Sequence, residues 1–235
     1  MSDTACQCTA VVLHLASGSA RRVELLRLLR VAFDAAGVGV DEQAQRLPAG
    51  AKADAASRPG RVTLAADTEV ILDGERMGKP RDDSHAVAML ASLAGGEHDV
   101  RTEVVVDDAS GGRTSFGVTT RVTFRGLSIR EIERYVATGE TGDKAGAYAI
   151  QGEGRHLVAA YEGCFANVIG LPLCHAYFAL RRAGVVGPER PERVCQEHFD
   201  FACPVWRRAQ RQGRALRDGA EYASWRDDVR GTFAR

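Results

Sequence analysis

Apolar residues along the chain follow two alternating spacings, one typical of strands and one typical of helices. A mostly apolar run at 11–16 predicts a short buried strand, and the small polar residues at 17–19 predict the turn that ends it. From 23 to 29 the apolar residues recur at near-helical spacing, which predicts a helix with Ser19 as its N-cap. Such a strand–turn–helix unit presents backbone N–H groups beside the end of a strand, and that arrangement attracts anions.

The remaining pattern predicts an α/β fold. Strands are expected at 31–36, 62–66, 100–106 and 118–124, with short ones near Tyr148 and Val158. Helices are expected at about 49–56, 84–93, 128–137 and 172–183. Asp73-Gly74 is a hairpin signal, and Ser128 with Glu131 forms a capping box. Strands that alternate with helices argue for α/β, and the hairpin predicted between 98 and 124 makes the sheet mixed.

The C-terminal part of the chain differs in composition from the rest. The chain has 235 residues, which suits one domain with a tail. Pro188 and Pro191 mark a boundary, and beyond them lies an Arg-rich stretch that holds both tryptophans. We therefore predict one domain at 1–187 and a C-terminal extension of unknown role at 188–235.

Charge and hydropathy narrow the classes of partner. Lys plus Arg and Asp plus Glu number 31 each, so no net field draws the chain to nucleic acid or to an anionic membrane. Any anion site must be built locally. No apolar run approaches the ~18–20 residues that cross a bilayer, and the run at 11–16 is too short for the core of an export signal. We therefore expect a cytoplasmic protein with no membrane partner, whose six cysteines are reduced thiols.

Four polar residues at the first strand–helix turn are candidate phosphate ligands. Ser17 and Ser19 flank a glycine, and Arg21 and Arg22 follow in the first turn of the predicted helix. Arg binds phosphate with forked, charge-assisted hydrogen bonds, whereas cations at a helix N-terminus are otherwise mildly unfavourable. An anionic ligand would explain the paired arginines. The alternative is a solvated first turn with ordinary surface arginines.

Three further residues could act on a bound anion. Asp67 closes the strand predicted at 62–66, and ligands of open α/β sheets bind at strand ends, so its carboxylate could hold Mg²⁺ or activate water. The alternative is an Asp that starts a turn by bonding its own backbone. Lys79 lies in a rigid Gly-Lys-Pro loop and Lys52 in the helix predicted around 49–56; each could equally be a surface lysine.

A Gly-rich loop at 139–152 mixes charged residues with glycines. Long irregular loops in compact domains are uncommon and often functional. Gln151, near its end, could read the edge of a base, because an amide carries a donor and an acceptor side by side. The alternative is a glutamine that bonds its own loop.

Taken together and in this order, these segments closely resemble the Maf family of nucleotide pyrophosphatases. The matching stretches are LASGSARRVELL at 15–26, VDEQ at 40–43, AADTEVILDGERMGKPRD at 65–82, the spaced pattern from Ala86 to Thr102, Y-x-x-x-GE at 135–140, DKAGAYAIQGEG at 143–154 and EGCFANVIGLPL at 162–173. The resemblance covers roughly 11–185 and does not reach the extension. One departure is Ala20, which stands where relatives usually have a Pro just inside the helix.

The resemblance implies an elongated α/β fold with a mixed β-sheet, flanking helices and a central cleft, similar to that of inosine triphosphatases. It implies hydrolysis of nucleoside triphosphates to monophosphate and pyrophosphate, with Mg²⁺ or Mn²⁺ as cofactor. Asp67 matches the catalytic aspartate, expected as general base, and Glu42 matches an acidic position near the metal, so both are expected to hold it. The expected substrate and phosphate contacts are Ser17, Ser19, Arg21, Lys52 and Lys79.

Within the family, the residues expected to select the base resemble the branch that prefers dTTP and UTP. They are Arg22, Thr68 and Gln151. The resemblance therefore implies pyrimidine triphosphates as substrates, modified ones included, and roles in nucleotide-pool cleaning and cell-division arrest. It also implies a homodimer as the assembly.

Two other functions stay open from the sequence. One is a nucleotide-binding regulator of septum formation without turnover. The presence of Asp67, Glu42 and Lys79 argues instead for the enzyme. The other is a nucleic-acid-binding extension, since arginines between 207 and 217 fall largely on one helical face. Zero net charge and the lack of interleaved aromatic residues argue against that function.

Overall fold

The computed structural model describes residues 12–40, 48–203, 205–215, 223–226 and 230–233. Its strands are β1 (Val12–Leu15), β2 (Phe33–Ala35), β3 (Arg61–Leu72), β4 (Glu75–Met77), β5 (Glu97–Asp107), β6 (Arg113–Phe124), β7 (Val158–Glu162), β8 (Phe201–Ala202), β9 (Ala223–Arg226) and β10 (Arg230–Phe233). Its helices are α1 (Ala20–Arg27), α2 (Pro48–Ala56), α3 (Asp83–Leu93), α4 (Ile129–Val136), α5 (Phe165–Ile169), α6 (Leu173–Arg182), α7 (Pro191–Phe199) and α8 (Trp206–Ala215).

The described strands form one mixed sheet. Its main path runs β2-β1-β3-β5-β6-β7-β10-β8, with β4 beside β3 and β9 beside β6. β1 pairs in parallel with β2 and β3, whereas the long strands β3, β5 and β6 pair antiparallel. The predicted α/β fold with a mixed sheet and flanking helices is therefore confirmed.

The N-terminal strand–turn–helix unit has the predicted form. Leu13 and Leu15 of β1 are fully buried, and α1 buries its apolar face on the same core. Ser19 occupies the N-cap position of α1, but its side chain makes no capping hydrogen bond. Its backbone N–H instead donates to Ser17 Oγ over 3.2 Å. The hydroxyl of Ser17 thus holds the turn that leads into the helix.

β3 continues through Asp67 and Thr68, so the strand end predicted there is wrong. The antiparallel ladder with β5 runs without a break along one side and keeps the strand extended. On the other side, β1 pairs with 61–64 and β4 pairs with 70–72. The described strands leave 65–69 without a partner on that side. The predicted end of β1 is within one residue of the observed end, whereas β3 runs six residues beyond its predicted end at 66, to Leu72.

Side chains on the two faces of β3 enter different apolar clusters. Ala66 and Val70 face the main core. Ala65 faces a small cluster beneath α2, whose other buried members are Ala16, Ala49, Ala53 and Val105. Because side chains alternate along a strand, Asp67 lies on the α2 face of the sheet and Thr68 on the main-core face.

Residues of the predicted extension pack against the sheet and helices that precede them. β9 pairs in parallel with β6, and β10 pairs antiparallel with β7. Trp225 of β9 stacks on His175 of α6, with ring centroids 5.4 Å apart. Phe201 of β8 lies 4.7 Å from Phe165 of α5, again between centroids. The extension therefore adds strands to the sheet and covers parts of α5 and α6.

The structure also tests the predicted hairpin, the capping box and one of the short strands. The hairpin at Asp73-Gly74 joins β3 to β4, and the capping box of Ser128 and Glu131 is present, so both predictions are confirmed. The short strand expected near Tyr148 is wrong, because that residue follows a 3-10 turn at Ala145–Ala147. Among helices in the described ranges, none has both the length and the hydropathy to span a membrane.

Candidate active site

A cavity of about 450 Å³ lies at the unpaired edge of β3. Its walls come from the turn after β1, the first turn of α1, the middle of β3, the loop at 143–151 and the end of α5. The candidate residues that lie in the described part of the chain all line it: Ser17, Ser19, Arg21, Arg22, Lys52, Asp67, Thr68, Lys79 and Gln151. Glu42 falls outside the described residues, so its expected metal role stays a prediction.

An ion pair between Lys52 and Asp67 lies where α2 meets β3. Lys52 Nζ donates to Asp67 Oδ1 over 2.7 Å, and the two side chains are 7% and 13% exposed. Lower local dielectric strengthens the attraction between them, while burial removes hydration from both charges. The pair therefore holds one carboxylate oxygen at a fixed point of the cavity wall and leaves the second oxygen of Asp67 for other partners.

Arg22 is buried at the junction of three wall segments. Its Nε donates to Gly170 O over 2.9 Å. Its terminal nitrogens donate to Ser17 Oγ over 3.2 Å and to Thr68 Oγ1 over 3.0 Å. A planar guanidinium with several N–H donors suits such a junction, because it bonds acceptors in different directions at once. Arg22 thus fixes the relative positions of the turn, β3 and the end of α5.

Hydroxyl groups continue this network from the cavity into the core. Thr68 Oγ1 lies 2.9 Å from Thr102 Oγ1. Thr102 Oγ1 donates to Asn167 O over 3.0 Å, and Asn167 Nδ2 donates to Val100 O over 2.9 Å. Thr102 and Asn167 are fully buried, and buried hydrogen bonds of this kind hold the hydroxyls in place, although the described residues offer no partner to Asn167 Oδ1. The side chain of Thr68 is therefore oriented before any ligand binds.

Arg21, the neighbour of Arg22, is tied to a carboxylate on the opposite wall. Its guanidinium donates to Asp143 Oδ2 over 2.7 Å, and Lys144 Nζ donates to the other oxygen of Asp143. Burial by itself would raise the pKa of Asp143, but the bonds from Lys144 and Arg21 outweigh it and lower the pKa to about 2. Asp143 therefore stays ionised and holds two cations together at the cavity.

Two loops that carry wall residues are joined through their backbones. Gly146 N–H donates to Gly78 O over 3.1 Å, directly before Lys79. Gly146 has a φ of +70°, and a Cβ at this position would lie 3.0 Å from the side chain of Val70. Both its conformation and its surroundings thus require glycine. Lys79 is exposed on its loop, and Gln151 is half-buried on the wall.

The sequence that carries these site residues matches a known protein family. The profile of a family described as Maf-like protein matches residues 12–183. The chain belongs to the Maf family. The resemblance drawn from the motifs is therefore confirmed, and the match includes each described candidate residue.

Relatives of this Maf-family chain include several named dTTP/UTP pyrophosphatase. One from Myxococcus xanthus is 46% identical over 193 residues, covering 76% of this chain and 96% of the relative. Another from Geotalea uraniireducens is 44% identical over 185 residues, covering 73% and 95%. A third from Anaeromyxobacter dehalogenans is 45% identical over 192 residues, covering 76% and 98%. Among solved structures, a nucleoside-triphosphatase (dITP/XTP pyrophosphatase) from Mycobacterium abscessus shows 13% identity and a TM-score of 0.34, covering 50% of this chain and 76% of that one.

Glu103 is a buried carboxylate beside the site that the Maf motifs do not single out. It lies directly opposite Asp67 in the β3–β5 ladder, so both side chains are on the α2 face. Its side chain is 7% exposed, and its Oε2 accepts the backbone N–H of Ala49 over 3.1 Å. Burial raises the pKa of Glu103, and the charges of Asp67 and Glu69 act in the same direction. The described residues offer no hydrogen-bond partner to its Oε1.

Some residues at the site have no role assigned from the sequence. Asp143 and Lys144, part of the stretch that resembles the family, are adjacent opposite charges within the Gly-rich loop at 139–152, and such a pair can offer a carboxylate and a cation to different partners. Glu103 is an acidic residue directly before three valines in a predicted strand. An acid in a buried strand needs a partner, so its position alone marks it for attention.

The described side chains offer few ligands to a divalent cation. Within the described residues, no three His, Cys, Asp or Glu side chains are grouped so that they could hold a metal ion. Mg²⁺, however, commonly binds through one or two carboxylates and takes its other ligands from substrate phosphates and water. Asp67 supplies one carboxylate at the wall, with an oxygen that Lys52 does not bond. These residues therefore fit a metal ion that binds together with a triphosphate.

Proposed function

We propose that this chain hydrolyses nucleoside triphosphates, with dTTP and UTP preferred, to the nucleoside monophosphate and pyrophosphate. Membership of the Maf family and the names of its relatives support this proposal. The observation that carries it is the buried Lys52–Asp67 pair in a cavity lined by five cationic side chains and two carboxylates. A triphosphate is strongly anionic, and a locally cationic cavity in a chain of zero net charge suits it.

The proposed reaction is an attack of water on the α-phosphorus. Asp67 accepts a proton from the water while the water oxygen bonds to phosphorus. The bond from the α-phosphorus to the oxygen that bridges to the β-phosphate breaks, and pyrophosphate leaves with that oxygen. Lys52 contributes by holding Asp67 Oδ1, so the other oxygen is oriented for the water.

Cationic side chains of the cavity away from the Lys52–Asp67 pair are suited to bind the departing pyrophosphate. Negative charge develops on the leaving group, and cations already in place stabilise it without reorganisation. Arg21 and Lys144 both bond the carboxylate of Asp143, which fixes the two cations close together and leaves the group one net positive charge. We assign the leaving pyrophosphate to Arg21, Lys144 and Lys79. Ser17 and Ser19 are assigned to phosphate oxygens at the turn.

Base selection is assigned to the wall formed by Gln151 and Thr68. The amide of Gln151 can pair a donor and an acceptor with the edge of a pyrimidine. Arg22 orients Thr68 through its hydrogen bond of 3.0 Å. Arg22 therefore affects base selection in two ways, by positioning the Thr68 side chain and by its own positive charge. We propose modified pyrimidine triphosphates as substrates too, because the contacts proposed for Gln151 and Thr68 involve only part of the base edge.

We propose Mg²⁺ or Mn²⁺ as cofactor, with Asp67 and Glu42 as the residues that would hold it. When bound, the ion would supply positive charge to the phosphates during bond cleavage. Chelation with EDTA is expected to abolish turnover, and added Mg²⁺ or Mn²⁺ to restore it. Turnover that persists in excess EDTA would contradict the metal proposal and leave the hydrolysis itself standing.

The experiment that tests the function identifies products. The purified chain is incubated with dTTP, UTP, CTP, GTP or ATP and with Mg²⁺ or Mn²⁺, and the products are separated by ion-exchange chromatography. Monophosphate with pyrophosphate from dTTP and UTP is the expected result. Diphosphate with orthophosphate would place the cleavage at another bond. Tight nucleotide binding without turnover would favour a regulator of septum formation.

We also propose an assembly, a cell location and a physiological role for this chain, each with its own test. We propose a homodimer, which light scattering on the purified chain tests by its molar mass. We propose the cytoplasm as its location, which fractionation of cells tests. Cell-division arrest is tested by raising the level of the active chain and of an inactive variant in growing cells.

A further inference from the structure

Helix α2 carries Lys52 and is held on the sheet by little apolar surface. The buried members of the cluster beneath it are four alanines and one valine, separate from the main core, and only Val38 and Ala56 pack against them as partly buried residues. Alanine side chains bury only a methyl group each, so they contribute little to the position of a helix. Polar contacts must therefore account for much of what fixes α2.

Three polar contacts between α2 and other described parts of the chain bear on its position. Lys52 bonds Asp67 inside the site. Asp54 pairs with Arg113 over 2.8 Å, but both side chains are well exposed, and exposed pairs contribute little. Glu103 accepts the N–H of Ala49 in the first turn of α2, and this bond is buried. A carboxylate at a helix N-terminus satisfies an otherwise unpaired N–H and faces the positive end of the helix dipole.

Substrate changes the balance among these contacts. Lys52 holds Asp67 Oδ1 in the proposed reaction, and the family resemblance also expects it to contact phosphate. Its ammonium would then be shared between Asp67 and phosphate oxygens, so Asp67 alone would hold Lys52 less firmly at the moment when its position matters most. Glu103 does not line the cavity, so we expect it to make no contact with the substrate. Its bond to Ala49 is therefore unaffected while Lys52 is shared between Asp67 and the phosphates.

We propose that Glu103 is a positioning residue, which holds the N-terminus of α2 so that Lys52 stays at the site while substrate occupies it. This inference rests on the proposed function. It also accounts for a carboxylate that is buried one cross-strand step from Asp67, where like charges repel. Glu103 acts through α2 and Lys52 and is not assigned any contact with the substrate.

Three single variants test the proposal: Glu103→Ala, Glu103→Gln and, as the matched control on α2, Asp54→Ala. Steady-state kinetics with dTTP are measured well below the unfolding temperature of each variant. Glu103→Ala is expected to lower kcat/KM by about tenfold or more, because small misplacements of a catalytic group are costly. Glu103→Gln should recover most of the loss, since its amide oxygen can accept the Ala49 N–H. Asp54→Ala should remain near the parent value.

A double-mutant cycle with Lys52→Ala separates positioning from general stability. If Glu103 acts through Lys52, then Glu103→Ala lowers activity much less in the Lys52→Ala background than in the parent. Equal losses in both backgrounds would overturn the proposal. So would an unchanged kcat/KM in Glu103→Ala, or a Glu103→Gln variant no better than Glu103→Ala.

Hydrogen exchange gives a readout that does not depend on turnover. The amides of α2 are expected to exchange faster in Glu103→Ala than in the parent, with α3 unchanged as the internal reference. Unchanged exchange in α2 would contradict the anchoring. A parent chain without any triphosphate turnover would contradict the proposed function, whereas an active parent with an unaffected Glu103→Ala variant would contradict this inference alone.

Discussion

Asp67 and Thr68 are consecutive residues with side chains on opposite faces of the sheet, and both line the same cavity. The open edge of β3 makes this possible, because β1 has ended and β4 has not begun. A ligand at this edge can reach a carboxylate backed by α2 and a hydroxyl backed by the main core. The two halves of the proposed chemistry, phosphate cleavage and base selection, thus meet at one peptide unit.

Asp67→Asn tests the role of the carboxylate. The amide keeps the shape but cannot accept a proton from water, so kcat should fall by about 10²–10⁴-fold. Pyrophosphate release from dTTP measures the effect. Asp143→Asn, a change of the same kind on the other wall, serves as the comparison and should retain more activity. An Asp67→Asn variant as active as the parent would remove Asp67 from the proposed base role.

Arg22→Lys tests whether the three-way junction needs a guanidinium. A single ammonium cannot reproduce bonds from Nε and both terminal nitrogens, so the end of α5 should shift relative to Thr68. We expect KM for dTTP to rise roughly tenfold with a smaller change in kcat. Arg27→Lys, an exposed site in the last turn of the same helix, should leave both constants unchanged. If Arg22→Lys and Arg27→Lys had the same KM and kcat, the proposed need for a guanidinium at this junction would be wrong.

His98 links the stability of the fold to pH. Burial lowers the pKa of His98 to about 4, with the charge of Asp99 acting weakly in the other direction, and its Nε2 bonds Tyr148 Oη over 2.8 Å. An unfolded chain binds this proton below about pH 6.5, whereas the folded chain does not until near pH 4. The stabilisation is therefore complete above pH 6.5 and is lost as pH falls towards 4, by on the order of 3 kcal/mol.

Urea unfolding at several pH values measures this dependence. His98→Gln should flatten the dependence of the free energy of unfolding on pH between 6.5 and 4, because glutamine at position 98 does not titrate. His156→Gln, at an exposed position, is the control and should keep the slope of the parent. A His98→Gln variant with the parent's slope would assign the acid sensitivity to other groups.

Phe201→Ala tests whether the extension stabilises the rest of the fold. Phe201 is buried, and its ring lies 4.7 Å from that of Phe165. The substitution should lower the free energy of unfolding by about 3 kcal/mol, as for other large-to-small changes in cores. Val186→Ala, at an exposed site, should have little effect. Urea unfolding that shows two transitions, with only the first affected, would mean that the extension unfolds on its own.

The sequence predicts much of the fold because local patterns decide it. A short apolar run defines β1, alternating apolar residues define β6, and Ser128 with Glu131 caps α4 through bonds within one turn. The length of β3 escaped prediction, because its polar residues past 66 are kept extended by β5 and not by their own propensity. The strands of the extension escaped it as well, since β9 and β10 exist through pairing with distant strands.

The same division holds for the candidate site. Residues set in contiguous motifs, such as Arg21 and Arg22, were found because the motif places them beside one another. Glu103 was not, since only the register of β3 on β5 brings it opposite Asp67. Pairing across a sheet depends on the whole fold, so a residue that acts across strands leaves little trace in the local sequence.

The parallel pairing of β9 with β6 bears on how the molecule assembles. β9 reaches β6 across about a hundred residues, whereas β5 and β6 are joined by a short turn. Closing a long loop costs entropy before any of its hydrogen bonds form, so contacts of the extension form after the hairpin. Interactions that form late slow unfolding more than they speed folding. We therefore expect loss of the extension's contacts to shorten the lifetime of the folded chain, and changes in β3, β5 and β6 to alter how quickly it forms.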